Sequence, residues 1–275
     1  MALKSPTDLA AAADGTLYVL DGGSVLRIAP DGTTTTLLSG LQDGDTTTTP
    51  AHLALRPNGK LVVGGADPHG FSVQPSQTLF EVDPAHPDAP TRLGKGTQMG
   101  TTTFAVGPDG AVYLAELTAT YGGVVGKLGA DGQIAPIIDA AAKAFAIQAL
   151  SFDEHGHLLV TTIGGADAKA WSWSTADGLQ VRDPAAFWPV VFDAAGRGYG
   201  DGSQLPSPGG TTIDRFDAVA AKGLPLIGPG GKLFAGTGVD DGVDKPRRPC
   251  FDGAGNLYFL DTGHKQIKRV AASAL

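Results

Sequence analysis

The sequence contains a single cysteine, Cys250, among its 275 residues. A lone cysteine excludes an intrachain disulfide framework and a cysteine-based zinc cluster. No apolar run approaches the length needed to span a bilayer, so we expect no membrane partner. Basic residues are also in the minority, 20 against 28 acidic ones, for a formal net charge of −8 and a pI near 5.1. This balance argues against a nucleic-acid binder that follows phosphates with a basic surface.

The first residues, Met-Ala-Leu-Lys-Ser-Pro, lack the apolar centre of a secretory signal. As written, the chain is therefore expected in the cytoplasm. It would be secreted or periplasmic if a signal had been removed, and the sequence leaves both alternatives open.

Glycine and proline are abundant, with 40 and 19 residues, while the hydrophobic content of 42% is ordinary for a globular protein. So many turn-forming residues do not suit a helical protein. Many short strands joined by Gly- and Pro-rich turns are typical of the all-β class.

An internal repeat becomes visible when segments such as "DLAAAADGTLYVLD" (8–21) and "RPCFDGAGNLYFLD" (248–261) are aligned on their turn glycine. Six segments align in this way, on Gly15, Gly59, Gly110, Gly156, Gly196 and Gly255. The intervals between these glycines average 48 residues, within the range of propeller blades.

Each segment has the pattern of a β-hairpin: alternating apolar residues, a turn with a positive-φ glycine, then a nearly continuous apolar run. A third strand and a polar fourth strand complete each unit, so the sequence predicts a six-bladed β-propeller of four-stranded antiparallel blades in a single domain, 1–275. The predicted blades cover residues 6–43, 50–96, 100–140, 146–183, 187–240 and 246–275 plus 2–5. Residues 2–5 are expected to pair as the outer strand of blade six and close the ring.

Blade five is the least regular unit. Residues 202–246 must supply its third and fourth strands, and "TTIDRFDAV" and "LPLIGPGGKLFAG" compete for these positions. The sequence leaves this assignment open.

The final unit, "GTGVDDGVDKPRRPCFDGAGNLYFLDTGHKQIKRV", resembles the repeat of the NHL-repeat propellers, and "PTDLAAAADGTLYVLDGGSVLRIAPDG" is similar at the front. The resemblance extends along the whole chain, with its strongest matches in units one and six. It implies a toroidal six-bladed domain but no particular activity, because family members include protein-binding modules, RNA-binding modules and enzymes.

The first strand of each blade is expected to line the central channel, and the loops entering it share one face, which we call the channel mouth. The slot seven residues before each turn glycine carries Asp8, His52, Thr103, Ala149, Pro189 and Arg248. The predicted ligand-binding residues at the mouth are Asp8, His52, Tyr121, Gln148, Trp188, Arg247 and Arg248. Two arginines beside Gln148 and Trp188 would suit an anionic or planar guest.

These residues have alternative interpretations. Asp8 and Arg248 could form a salt bridge that closes the ring, with His52 as a structural histidine. In an enzyme, His52 would be a general base that Asp8 orients, with Arg247 or Arg248 next to an anionic intermediate.

Calcium and zinc are the two metals that a propeller mouth of this kind could hold. Calcium-dependent lactonase propellers place several Asp, Asn and Glu oxygens at the tops of these strands, and this chain offers only Asp8 there. A zinc site would need converging imidazoles, for which His52, His69 and His264 are the only candidates. We therefore expect no resident cofactor, with calcium or zinc as remote alternatives.

Taken together, the sequence predicts a monomeric, non-catalytic recognition propeller that engages a protein partner or a small polar ligand. The alternative is a propeller hydrolase or lyase with its active site at the same mouth. A scaffold component with an empty channel is a third possibility.

Overall fold

A computed structural model of the chain describes residues 3–43, 46–48, 50, 52–64, 79–94, 101–117, 123–139, 146–163, 170–182, 190–202, 212–216, 224–227 and 245–275. Within these ranges the regular structure is antiparallel β-strand, apart from one 3₁₀ turn, Ala272–Ala274. None of the described residues belongs to a helix long and apolar enough to cross a membrane.

The strands form successive sheets in chain order. Blade one contains β1 (Pro6–Ala11), β2 (Leu17–Asp21), β3 (Ser24–Ile28) and β4 (Thr34–Ser39). A small hairpin of β5 (Leu41–Asp43) and β6 (Thr46–Thr48) follows it. Blade two contains β7 (His52–Leu55), β8 (Leu61–Gly64), β9 (Leu79–Asp83) and β10 (His86–Leu93). Blade three contains β11 (Thr101–Val106), β12 (Val112–Leu117), β13 (Gly123–Leu128) and β14 (Ile134–Asp139).

The second half continues the pattern. Blade four contains β15 (Ala146–Phe152), β16 (Leu158–Ile163), β17 (Ala170–Ser174) and β18 (Gly178–Arg182). Blade five contains β19 (Val190–Phe192), β20 (Gly198–Gly202), β21 (Thr212–Phe216) and β22 (Leu224–Ile227). Blade six contains β23 (Pro246–Phe251), β24 (Leu257–Asp261) and β25 (Gln266–Val270). In blade five both competing segments are used, one for the third strand and one for the fourth.

The apolar core lies between neighbouring blades, as a propeller requires. Blade one packs on blade two through Leu20 and Val63, and blade two packs on blade three through Val62 and Leu114. Similar buried clusters join blades three and four, blades five and six, and blades six and one. The last of these contains Leu9 and Leu260, which shows that the two ends of the ring meet.

Burial on both faces explains the continuous apolar runs of the second strands. In β8, Leu61 and Val63 face blade one while Val62 faces blade three, because successive side chains of a strand point to opposite faces. All three side chains are fully buried. The prediction of an all-β propeller built from hairpin-centred blades is therefore confirmed.

Ring closure differs from the predicted strand pairing. The N–H of Leu3 donates to the backbone oxygen of Lys265, and Leu3 is buried against Leu260, but residues 3–5 form no strand, and the described residues of blade six form three strands. The amides of Lys4 and Ser5 donate instead to the carboxylate of Asp21 in blade one.

Candidate functional site

The first strands of three blades bring Asp8, His52 and Arg248 together at the channel mouth. The Nδ1 atom of His52 lies 3.2 Å from Oδ2 of Asp8, and Nε of Arg248 lies 3.6 Å from Oδ1 of the same carboxylate. Asp8 and His52 are each only 5% exposed. The alignment placed these residues in equivalent slots of ring neighbours, and the structure places them in contact.

Asp8 accepts hydrogen bonds from the main chain of two blades. Its Oδ1 accepts the N–H of Leu9, and its Oδ2 accepts the N–H of Leu53 in blade two, each at 3.0 Å. Burial alone would raise the pKa of this carboxyl, but the charge of Arg248 and the hydrogen bonds from His52 and Leu53 outweigh it and hold the pKa below the ordinary 3.8. Asp8 is thus a buried carboxylate that stays ionised.

Two groups approach the same nitrogen of His52. Besides the Asp8 carboxylate, Nη2 of Arg248 lies 3.3 Å from Nδ1. A ring nitrogen carries either a proton or a lone pair, so Nδ1 either donates to Asp8 or accepts from Arg248. Because Asp8 is ionised, we expect the proton on Nδ1, which leaves the lone pair on Nε2.

The His52 ring is held on its other side by blade three. Its centroid lies 6.2 Å from that of Phe104, with the rings nearly perpendicular at 84°. The Nε2 atom is buried. A solute at the mouth therefore reaches the partly exposed side chain of Arg248 more easily than Nε2.

Arg248 adopts an unusual backbone conformation, with a φ of 56°. A non-glycine residue in this left-handed region costs of order 1 kcal/mol or more and persists where the surroundings hold it. The pairing of β23 with β24 is irregular at this point, because two residues, Arg248 and Pro249, lie opposite the single residue Phe259. The bulge directs the guanidinium toward Asp8.

Similar bulges recur in three other first strands. One extra residue interrupts the pairing in β1, β11 and β15, at Thr7, Thr102 and Gln148. Each precedes the slot residue of its blade, so four of the six blades carry an irregular first strand near the mouth. The sequence analysis did not predict these bulges. The signal that could have revealed them is a polar residue that recurs at this position in otherwise apolar strands.

The other predicted site residues have separate outcomes. Arg247 is half-buried at the start of the β23 bulge, and the backbone of Gln148 lies in β15. Tyr121, Trp188 and His69 lie outside the described residues. His264 is exposed in the turn before β25, where its Nδ1 lies 2.9 Å from Oδ2 of Asp261.

The sequence analysis missed Phe104. It follows the slot residue Thr103 in an alternating apolar strand, a pattern that indicates a core position, yet it contacts the imidazole of His52. Because the contact crosses between blades, no spacing along the chain revealed it.

Metal binding at the mouth has no assembled ligand set within the described ranges. No group of three or more His, Cys, Asp or Glu side chains there is arranged to hold an ion. The positively charged Arg248 also occupies the space beside Asp8. These residues do not fit a resident calcium ion, and the zinc candidate that includes His69 remains an untested prediction.

The fold and its first strands define a β-propeller, and solved structures support this class. The chain is similar to a gluconolactonase from Xanthomonas campestris, with a TM-score of 0.63 and 18% identity over 94% of this chain and 84% of that one. It is also similar to a catalytically inactive virginiamycin B lyase from Staphylococcus aureus bound to quinupristin, with a TM-score of 0.59 and 12% identity over 100% of this chain and 85% of the other.

At these identities the likeness shows the fold alone. No protein-family model and no curated protein matches the sequence. The resemblance to the NHL-repeat propellers in particular therefore stays a prediction.

Proposed function

We propose that this propeller binds a small polar ligand carrying a negative charge at the channel mouth, with Arg248 as its main contact. The observation that carries the proposal is the guanidinium of Arg248, which a left-handed backbone conformation and a β-bulge hold at the channel mouth. Such local strain is concentrated at binding and catalytic sites. The planar guanidinium is suited to recognising a carboxylate or a phosphate. The resemblance of blades one and six, which carry Asp8 and Arg248, to NHL repeats is part of the same proposal.

The burial of the His52 imidazole favours recognition of a ligand over proton transfer by this residue. Nε2, the atom that a general base would use, is buried, and the imidazole that carries it packs against Phe104. A ligand can approach Arg248 without any rearrangement of His52. A role in catalysis requires the histidine to become accessible first.

The test is calorimetric titration of the protein with a panel of small mono- and dicarboxylates, sugar acids and inorganic phosphate. We expect Arg248→Ala to weaken binding of the best panel member by about tenfold to a hundredfold, the loss of one charged hydrogen-bonded contact. Arg248→Lys keeps the charge and should retain part of the affinity. Arg27→Ala, which removes a half-buried arginine from β3 of blade one, is the matched control.

The proposal is contradicted if Arg248→Ala leaves the affinity unchanged, or if no panel member binds while the folded protein is intact.

A second candidate, a hydrolase or lyase, is favoured by one contact. The hydrogen bond between Asp8 and Nδ1 of His52 is the arrangement that orients a general base. Both a gluconolactonase and a lyase are among the structurally similar proteins. The test is turnover of a lactone and ester panel. Activity abolished in His52→Ala would support this candidate, and an inactive wild-type protein that still binds its ligand would exclude it for that panel.

A further inference from the structure

The outer edge of blade six differs from that of the other blades. Five sheets have four strands, whereas the described sheet of blade six ends at its third strand, β25. A third strand is normally covered, and β25 still contributes core residues: Val270 is 2% exposed and Ile267 packs against blade one. An edge strand presents a row of backbone N–H and C=O groups to any chain that can pair with it.

The outer strands of blades two, three and five contain prolines, which oppose such pairing. Pro87 and Pro90 in β10, Pro136 in β14 and Pro225 in β22 each lack the N–H that an added strand needs. The strand β25 contains no proline, and its register with β24 is regular throughout. Its backbone is therefore suited to accept a partner strand.

The charge of this edge indicates which partner fits. Lys265, Lys268 and Arg269 lie on or beside β25, and the strand itself has no acidic residue, although the protein has a net charge of −8. Basic side chains on an edge oppose pairing with an identical copy, because like charges would face each other. They attract a strand that carries acidic residues.

The described part of the N-terminal segment bonds to the start of this edge, where the N–H of Leu3 donates to the backbone oxygen of Lys265, just before the strand.

We propose that the outer edge of β25 binds an extended acidic segment of another protein, which adds to blade six as its fourth strand. Main-chain hydrogen bonds supply the affinity, and Lys265 and Lys268 select for acidic side chains. This surface is independent of the ligand site at the channel mouth.

The experiment measures fluorescence anisotropy of a labelled peptide of alternating Glu and Val, with a Lys and Val peptide as the matched probe. We expect the acidic peptide to bind and the basic one not to bind. Lys268→Glu should weaken binding of the acidic peptide by about tenfold or more, because like charges then lie in the same sheet. Lys127→Glu makes the same change on β13, whose edge β14 covers, and should have no effect.

Hydrogen exchange gives a second measurement. Alternate amides of β25 already bond to β24, so the acidic peptide should slow exchange of the remaining, outward-facing amides in residues 266–270 and leave the amides of 123–128 unchanged. The proposal is overturned if these outward-facing amides are already protected in the monomeric protein without peptide, which would mean that its own chain covers the edge. It is overturned equally if their protection depends on protein concentration, which would indicate a second copy, or if Lys268→Glu binds the acidic peptide as well as the wild type does.

Discussion

Oδ2 of Asp8 accepts the backbone N–H of Leu53 at 3.0 Å, so a side chain of blade one is bonded to the main chain of blade two. The same carboxylate contacts Arg248 of blade six. One buried residue therefore joins the blades on both sides of the point where the ring closes. It also orients the imidazole of His52, so stability and any function at the mouth depend on the same group.

Replacing Asp8 should destabilise the ring. Asp8→Ala removes the carboxylate that pairs with Arg248 and accepts two backbone N–H groups, and we expect a loss of about 3 kcal/mol in the free energy of unfolding. Urea denaturation followed by tryptophan fluorescence measures this. Asp88→Ala, at an exposed position of β10 in blade two, should change stability by less than about 0.5 kcal/mol. Equal losses in the two variants would contradict the role of Asp8.

The contribution of Asp8 should depend on pH. Its pKa in the folded protein is lower than the ordinary 3.8, so the unfolded chain binds the proton first as the pH falls. The stabilisation is fully present above the unfolded pKa and is lost as the pH falls through the lower folded value. We expect the difference in unfolding free energy between wild type and Asp8→Asn to shrink as the pH falls below about 4. A difference that grows on acidification would show that the sign is wrong.

Much of this architecture was predictable because the repeat is local. The turn glycines, the alternating first strands and the apolar second strands are properties of short stretches of sequence. Once the blades are aligned, equivalent slots must share one end of the ring. Asp8 and His52 could therefore be assigned to one site from their spacing alone.

The remaining features depend on contacts between blades. The packing of Phe104 on His52 joins two sheets, and the path of residues 3–5 is set by the carboxylate of Asp21. The conformation of Arg248 depends on a bulge, which is a property of strand pairing rather than of one strand. Patterns in the sequence indicate which face of a single strand is buried, but they do not indicate contacts between blades. These features could therefore not be predicted.

The hairpin turns that follow the first strands differ in how many hydrogen bonds their aspartate accepts, so they should differ in their contribution to stability. In blade six, Asp252 accepts from the amides of Ala254 and Asn256, from the Asn256 side chain and from the Tyr258 hydroxyl. In blade one, Asp14 accepts from the amide of Thr16. We expect Asp252→Ala to cost about 2 kcal/mol and Asp14→Ala about 0.5–1 kcal/mol, since each net hydrogen bond contributes about that much. Thermal unfolding of the two variants checks this order, and a larger effect for Asp14→Ala would refute it.

The final prediction concerns the seam between blades six and one on the turn side of the ring. The N–H of Gly253 donates to the backbone oxygen of Ala13 at 3.2 Å, and a Cβ added at Gly253 would lie 2.6 Å from that oxygen. Because the obstacle is backbone, one turn must move away from the other. We expect Gly253→Ala to lower the unfolding free energy by about 2 kcal/mol, as other overpacked sites do.

The control for this substitution is Ala254→Ser, an exposed change in the same turn that should be nearly neutral. Adding Ala13→Gly to Gly253→Ala removes the side-chain contact at 3.0 Å but leaves the backbone oxygen in place, so stability should recover only in part. Full recovery would mean that the two side chains, rather than the backbones of the two turns, set how closely blades six and one approach.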